Sequence, residues 1–558
     1  MGAFPRGVVR EGTDVKIWAP NAKKKVELVS GARRFAAHAI GDGYWEVSSP
    51  PIDAEYSISL DGGPSRPDPR SRSQPHGVHG PSRWLEHPCK WSDANFKPSP
   101  LSAAIIYELH VGTFTPEGTL DSALARLDEL ITLGVTHVEL MPLSAFPGRR
   151  GWGYDGVELF AVHRAYGGIE ALCRFVNGAH AKHLSVLLDV VYNHLGPDGN
   201  YLGEFGPYFT DKHKTPWGPA IDFTQRGVRR FFLDNALFWL RDCHLDGLRL
   251  DATHAIVDPS EPHVLEQLAD EVKALPRPAV LIAENEDNDP RLVSSQGLDA
   301  FWFDDLHHAI HAAFTGEKQG YYAQYGKLAD IATALVGKGT LNGRPLGPSD
   351  GSRCVACIQN HDQIGNRARG ERLAHLISPG RARLAAALMF TSPFVPLIFQ
   401  GEEWGASSPF QYFTDHQDPA LARAVSEGRR KEHASIAGEV PDPQDRQTMT
   451  RSTLDWSERA RSPHREMLEW YRSLIALRHR LPELTDGRRD QVHVSVDEDD
   501  GVIVLNRGRV MLVGNVGKKN LRFSSEGHLE LAWPELQRRG NEVVLPPDSC
   551  ALWVDRSV

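Results

Sequence analysis

From about residue 101 to residue 405 the chain repeats one texture, a short apolar run followed by an amphipathic stretch. Eight runs stand out: "AIIYELHV", "VTHVELMPL", "SVLLDVVYNH", "LDGLRLDATH", "AVLIAENE", "AFWFDDLHH", "CVACIQNHDQ" and "PLIFQGEEWG". Runs of this kind, apolar on both faces, suit parallel strands covered on each side. Helical stretches lie between them. "TLDSALARLDELITLG" places Leu124, Leu127 and Ile131 on one face, and "VRRFFLDNALFWLRD" is similarly amphipathic. Eight such units predict an α/β fold of the (β/α)8 TIM-barrel type, in which catalytic groups sit where the strands run into the βα loops.

At 558 residues the chain exceeds what one hydrophobic core serves, and its ends differ in texture from its middle. Residues 1–95 hold short alternating segments such as "DVKIWAP" and "KKVELVS", broken by Gly and Pro, then a connector, "DGGPSRPDPRSRSQPHGVHGPSRW". They predict an N-terminal β-sandwich (Ig-like) and an extended link. The catalytic barrel is expected over 96–485, with loop excursions at about 195–225 and 406–460 that shape a cleft over its mouth. Alternation returns in "GVIVLNRG", "VMLVGNVG" and "CALWVD", which predicts a C-terminal antiparallel β domain over 486–558.

A net charge of −10 offers no general attraction to nucleic acid or to an anionic membrane. The N-terminal "MGAFPRGVVREGTDVKIW" lacks the apolar core of a signal peptide, no apolar run reaches membrane-spanning length, and six scattered cysteines form no disulfide framework. A cytoplasmic protein is expected. Cys354 and Cys357 form a C-x-x-C, but "CVACIQ" reads as a buried strand and no second pair completes a zinc site.

Several strand candidates end in polar residues. In "GLRLDATH" alternation sets Arg249 and Asp251 on one face and Leu248 and Leu250 on the other. Asp189 and His194 end the third strand, Glu284 the fifth, His361 and Asp362 the seventh. Carboxylates, an arginine and histidines at one barrel mouth suit a divalent metal or acid/base chemistry on a neutral polyol. Glycosidic cleavage needs one carboxylic acid to protonate the leaving oxygen and a second carboxylate on the opposite face of the ring. Asp251, beside Arg249, suits the ionised nucleophile, and Glu284, preceded by apolar "VLIA", suits the proton donor. Asp362 would stabilise the developing oxocarbenium ion. Asp189, deep in its strand, is expected to hydrogen-bond Arg249 rather than to touch sugar.

"DVVYNH" (189–194), "GLRLDATH" (247–254), "AEN" (283–285) and "NHD" (360–362) occur in the order and approximate spacing of the four signature regions of the α-amylase superfamily, glycoside hydrolase family 13, which the chain resembles over nearly its whole length. The resemblance implies a retaining mechanism without a cofactor or metal: Asp251 nucleophile, Glu284 acid/base, Asp362 transition-state stabiliser. It also implies His194, Arg249 and His361 as supporting groups around the cleaved sugar, with Tyr154 of "GWGYDG" (151–156) as its aromatic platform. "DDLHHAIHAAFTGEKQGYY" (304–322), "NHDQIGNRARGER" (360–372) and "DPQDRQTMTRSTLDW" (442–456) resemble the branch of the superfamily that acts on maltooligosyltrehalose. That implies maltooligosyltrehalose and related α-glucans as substrates, release of trehalose, and a functional pairing with maltooligosyltrehalose synthase through the shared substrate.

The connector and "TPWG" also resemble glycogen branching enzymes, but Asp155 and Asn285 stand where those carry Gln and a further acid. A branching or debranching enzyme is the alternative reading, and a non-catalytic glucan- or partner-binding protein is a third. Selectivity for the trehalose end is expected from Asp287 in "NEDND" and Asp305 in "DDLHHAIH", the latter read as part of the sixth strand. His307, His308 and His311 resemble a ligand cluster, but their spacing fits helix or strand-end polarity equally well. For Trp152, Trp217 and Trp404, sugar stacking and loop packing are both open.

Overall fold

The computed structural model describes residues 10–11, 14–48, 55–85, 89–337, 339–434, 439–536, 538–539 and 542–556. The first nine residues, part of the stretch read above for a leader, lie outside them. Among the described residues no helix is long and apolar enough to cross a membrane.

All eight apolar runs become parallel strands of one closed barrel: β1 (Ile106–Leu109), β2 (His137–Leu140), β3 (Ser185–Val190), β4 (Gly247–Leu250), β5 (Val280–Ala283), β6 (Ala300–Trp302), β7 (Cys354–Ala356) and β8 (Val395–Phe399). Ile106 pairs with His137 on one side and with Leu397 on the other, so β8 closes on β1. The lower interior is a dry layer of Ile106, Leu187, Ile282, Trp302, Val355 and Leu397. Above it the interior turns polar, with Glu108, Glu139, Asp189 and Arg249 all buried. That change, one turn of side chains up the barrel, is where the site begins.

Antiparallel sheets flank the barrel. Before it stand a four-stranded sheet built on Asp14–Trp18 and Tyr44–Val47 and a second built on Val26–Ser30 and Glu55–Leu60, with alternating burial along Asp14–Trp18 and Val26–Ser30. After it a five-stranded sheet runs from Val492–Asp497 to Ser549–Val554. Arg507 from this sheet and Arg478 from the helix His464–Arg480 both donate to the carbonyl of Ser392, at 2.7 and 3.0 Å, just past the helix Pro379–Thr391. Their guanidinium groups satisfy carbonyls that helix termination leaves bare.

Three expectations need correction. The "TLDSALARLDELITLG" stretch breaks into Leu120–Leu124 and Leu127–Leu133, and the break rotates the buried face to Leu120, Ala123, Leu127, Leu130 and Leu133, leaving Ile131 at the surface. "DDLHHAIH" belongs to the helix Asp304–Thr315, because β6 ends at Trp302. Cys89 and Cys173 form a disulfide, while Cys354 and Cys357 are free and buried. Eighty-four residues separate the bonded pair, so only the path of the connector brings them together.

That connector is strapped along the helix α1 (Gly168–Ala181). Beyond the disulfide, the side chain of Asn177 donates to the Lys90 carbonyl at 2.9 Å and accepts from the Ser92 amide at 3.0 Å. Asp93 then meets His180 at 2.8 Å, His244 at 2.9 Å and Arg277 at 2.8 Å, and His180 reaches Asp246 on its other nitrogen at 2.9 Å. Burial opposes the charge on Asp93, but hydrogen bonds from His244, His180 and Arg277 outweigh it and hold the carboxyl at about 2, below its ordinary 3.8. A depressed carboxyl stabilises the fold above its unfolded pKa and loses that contribution as pH falls through the folded value. Asp93→Asn is expected to destabilise by about 3 kcal/mol and to flatten the loss of stability between about pH 4 and pH 2, read by denaturant melts across that range. An unchanged acid limb would sink this reading of the strap.

Candidate active site

The barrel mouth opens into a cleft of about 750 Å³ whose floor holds Asp251, Glu284 and Asp362 and whose lips hold Trp217 and Tyr321. Arg249 organises the floor. Its side chain has no exposure and lies over the Trp302 ring at 4.1 Å. Nη1 donates to Asp189 Oδ2 at 2.8 Å and to Asp251 Oδ1 at 2.7 Å, and Nη2 contacts Glu284 Oε2 at 2.8 Å. Three strands thus bring three carboxylates to one guanidinium: Asp189 from β3, Asp251 just past β4 and Glu284 just past β5.

Local backbone sharpens this arrangement. Asp251 is followed by Ala252 at φ 40°, ψ 55°, a left-handed conformation that costs a residue with a Cβ of order 1–3 kcal/mol. The bend aims the Ala252 amide at Glu284 Oε2, 2.8 Å away. Asn193 donates to Asp251 Oδ2 at 2.7 Å, so each oxygen of that carboxylate is held by a donor. Glu284 is therefore not poised by apolar surroundings, as its sequence context suggested: Oε2 accepts from the amide and faces the arginine, and its side chain is 18% exposed. Oε2 accepts whether or not the group carries a proton, which confines the transferable proton to Oε1.

Tyr154 stacks on His361 with ring centroids 5.2 Å apart and 20° between planes. Its hydroxyl touches Asp189 Oδ2 at 2.5 Å and His361 Nε2 at 2.8 Å. Its loop turns through Gly153 at φ 104°, where a Cβ would fall 2.3 Å from the Pro142 carbonyl oxygen, so glycine is required. Asp362 opens the short helix His361–Gly365, capped by Asn360, which accepts from the Asp362 amide at 2.9 Å. His194 lines the cleft, stacked on Trp217 at 5.3 Å, and burial pushes its imidazole down to about 4. Asp155, across the cleft wall with His416 3.9 Å away, is lifted by burial.

The family whose model matches is "Alpha amylase, catalytic domain", over residues 73–217. A malto-oligosyltrehalose trehalohydrolase of Arthrobacter ramosus is 45% identical, across 93% of this chain and 96% of its own. One from Mycobacterium tuberculosis is 43% identical, across 93% and 95%. The chain belongs to the malto-oligosyltrehalose trehalohydrolase family. A Salmonella typhimurium crystal structure, named as a candidate alpha amylase, superposes with a TM-score of 0.88 at 36% identity, covering 97% of both chains.

Of the residues expected at the site, Asp251, Glu284, Asp362, Tyr154, Asp155 and His194 line the cleft of this family member, with Arg249 and His361 buried beneath. Asp287 and Asp305 do not. Asp287 is exposed outside the cleft, in a turn where its amide donates to Asn285 Oδ1 at 3.0 Å, while Glu286 lines the wall. Asp305 is 1% exposed and lies behind that wall, bonded to Asn288, to Tyr325 and, at 3.0 Å, to Arg344, which itself lines the cleft. One residue earlier, Asp304 faces the cleft, and burial together with the charges of Glu284 and Asp362 lifts it to about 7. Of the helical histidines only His308 reaches the cleft, stacked on Tyr321 at 4.9 Å, whereas His307 bonds Tyr322 and the Ile358 carbonyl and His311 bonds Glu317. Trp152 and Trp217 line the cleft; Trp404 is core.

Glu108, Asn193, Asp304, Glu286 and Arg344 also belong to the site, although no expectation from sequence names them. Glu108 carried the same signal as Arg249, a charge inside an apolar strand, but its partner His361 is 253 residues away. Arg249→Lys is expected to lower kcat by about a hundredfold or more, since a single ammonium cannot replace a planar fork on three carboxylates. Steady-state kinetics beside a thermal melt checks this, and near-normal kcat would show that the fork is dispensable.

Proposed function

We propose that this cleft hydrolyses the α-1,4-glucosidic bond next to the terminal trehalose unit of a maltooligosyltrehalose, with retention at the anomeric carbon. The observation that carries the reading is the double grip of Arg249: Asp251 and Glu284 sit on the two terminal nitrogens of one guanidinium, at 2.7 and 2.8 Å, which supports the paired carboxyl groups that a retaining mechanism needs. Relatives named malto-oligosyltrehalose trehalohydrolases, alike over more than nine-tenths of the chain, support the substrate.

Asp251 attacks the anomeric carbon while Glu284 gives its Oε1 proton to the glycosidic oxygen, breaking that bond and releasing trehalose. Glu284 then takes a proton from water, whose oxygen attacks the same carbon, frees Asp251 and leaves a shortened maltooligosaccharide with an α-anomeric end. Asp362, 3.5 Å from His361 Nε2, carries negative charge toward the oxocarbenium-like transition state. Tyr154 is the platform under the cleaved sugar, and Asp155, His194 and His361 bind its hydroxyls. Beyond Glu284 the wall presents Glu286, Asp304, His308 and Arg344, polar groups suited to hydroxyls that only the trehalose shape presents. On this reading the shared substrate pairs the enzyme functionally with maltooligosyltrehalose synthase, and its proposed compartment is the cytoplasm.

Asp251→Asn and Glu284→Gln are each expected to lower kcat by about a thousandfold or more without loss of folding, read by circular dichroism beside a chain-release assay. Proton NMR of fresh product from maltotriosyltrehalose should show trehalose and an α-anomer. A β-anomer would refute retention, and new α-1,6 linkages from linear glucan would move the assignment to a branching enzyme. Asp305→Ala, by freeing Arg344, should cut kcat/KM for maltotriosyltrehalose by about tenfold while sparing plain maltopentaose, and Asp287→Ala should affect neither. Equal losses on both substrates would remove the wall behind Arg344 from selectivity.

A further inference from the structure

His361 lies between two acceptors that no sequence motif links to it. On one side Glu108, the third residue of β1 and 1% exposed, holds it twice: Oε1 faces Nδ1 at 2.5 Å, and Oε2 accepts from the His361 backbone amide at 3.2 Å. On the other side Nε2 meets the Tyr154 hydroxyl at 2.8 Å and Asp362 Oδ1 at 3.5 Å. Tyr154 has one proton to give and two close neighbours, His361 Nε2 and Asp189 Oδ2. Asp189 Oδ2 already accepts from Arg249 at 2.8 Å and can only accept again as a carboxylate. Tyr154 must therefore donate to Asp189 and accept from His361. With Glu108 as a carboxylate, which can only accept, both ring nitrogens of His361 carry protons.

We propose that Glu108 is a positioning residue for the glycosidic reaction: its carboxylate keeps His361 doubly protonated, which fixes the donor direction His361 to Tyr154 to Asp189 and so seats the arginine that grips Asp251 and Glu284. This rests on the reading of Asp251 and Glu284 given above. Without the negative charge of Glu108 a buried imidazole loses a proton. Its Nε2 then turns from donor to acceptor, and Tyr154 cannot satisfy both neighbours.

The other charged groups around the ring fit this direction. Burial alone disfavours an imidazolium there, yet Asp362 and Glu108 outweigh both burial and the opposing charge of Arg249, lifting His361 to about 10. Glu139, at the register position of Glu108 on β2, is pushed well above the ordinary carboxyl range by burial and by the charges of Glu108 and Asp189, which favours its neutral form over competition for the imidazolium. Burial lifts Asp189 to about 7, opposed by Arg249, so the chain is expected to be fully formed on the alkaline side of neutrality and to weaken as Asp189 gains a proton.

The test is Glu108→Gln, which keeps the shape and removes the charge. With selectively 15N-labelled histidine and a His361→Asn spectrum for assignment, the unaltered protein should show His361 with both nitrogens protonated at about pH 8, and Glu108→Gln should show a neutral ring there. On maltotriosyltrehalose the variant's kcat should fall by about tenfold or more with KM little changed, and the alkaline limb of kcat should move to lower pH, because the imidazolium is lost as pH rises through a lowered pKa. Tyr154→Phe should lower kcat and leave the His361 ring protonated. A neutral His361 in the unaltered protein at pH 8, a ring still protonated in Glu108→Gln, or a kcat within twofold of normal would each overturn the proposal. The first of these is read on the unaltered protein and does not depend on Glu108→Gln folding. Asp251→Asn separates the two readings: if it retains activity, the catalytic assignment itself fails, whereas an inactive Asp251→Asn beside an unperturbed Glu108→Gln removes only the role of Glu108.

Discussion

A guanidinium without exposure, halfway up the inside of a parallel barrel, is the constraint on which the rest of this structure turns. Transferring such a charge from water costs several kcal/mol even after relaxation, and the cost is recovered only if carboxylates surround it in good geometry. Arg249 meets Asp189, Asp251 and Glu284, while its flat face lies on Trp302. The dry layer of Leu187, Ile282 and Leu397 below gives rigidity, and the charged layer above gives chemistry. Because the same carboxylates hold the arginine and, in the proposed reaction, act on substrate, folding and function draw on the same contacts.

Around this centre the division of labour follows the physics of the elements. Strand ends, fixed by ladder hydrogen bonds, carry the groups whose placement tolerates least error. Loops and helices carry the walls. Trp217 stands on a hairpin from the excursion after β3, and Tyr321 follows the helix after β6; both are 48% exposed on opposite lips. The wall itself is preorganised from behind, since Asp305 is spent on holding Arg344, Asn288 and Tyr325 rather than on meeting a ligand. Such a buried brace makes a polar recognition surface stiff enough to reject a ligand that leaves its donors unpaired.

Read from sequence alone, the barrel was legible because its signal is local: eight apolar runs of strand length separated by amphipathic stretches can bury themselves in few ways. Asp251, Glu284, Asp362, Tyr154 and His194 were legible because short motifs place them at strand ends in a fixed order, and Arg249 because alternation alone sets it beside Asp251. What alternation could not supply was partnership across the barrel. Glu108 and His361 are each buried for the other's sake, yet nothing near either residue names the other.

Helix phase and chain path decided the remainder. Asp304 and Asp305 are adjacent in sequence, but the helix that begins there turns one to the cleft and the other inward by about 100°. A turn closed by Asn285 on the Asp287 amide leaves Glu286 on the wall and Asp287 outside it. Cys89 and Cys173 are bonded because the connector lies along α1, a route set by Asn177, Asp93 and His180 rather than by any cysteine spacing. The sequence by itself determined the fold class and the acids that line the cleft, since periodicity and short motifs act within one strand and its end. Only the tertiary structure decided which charges neutralise one another and which polar groups reach the cleft, because Coulomb and hydrogen-bond energies depend on distances across the barrel that no local pattern encodes.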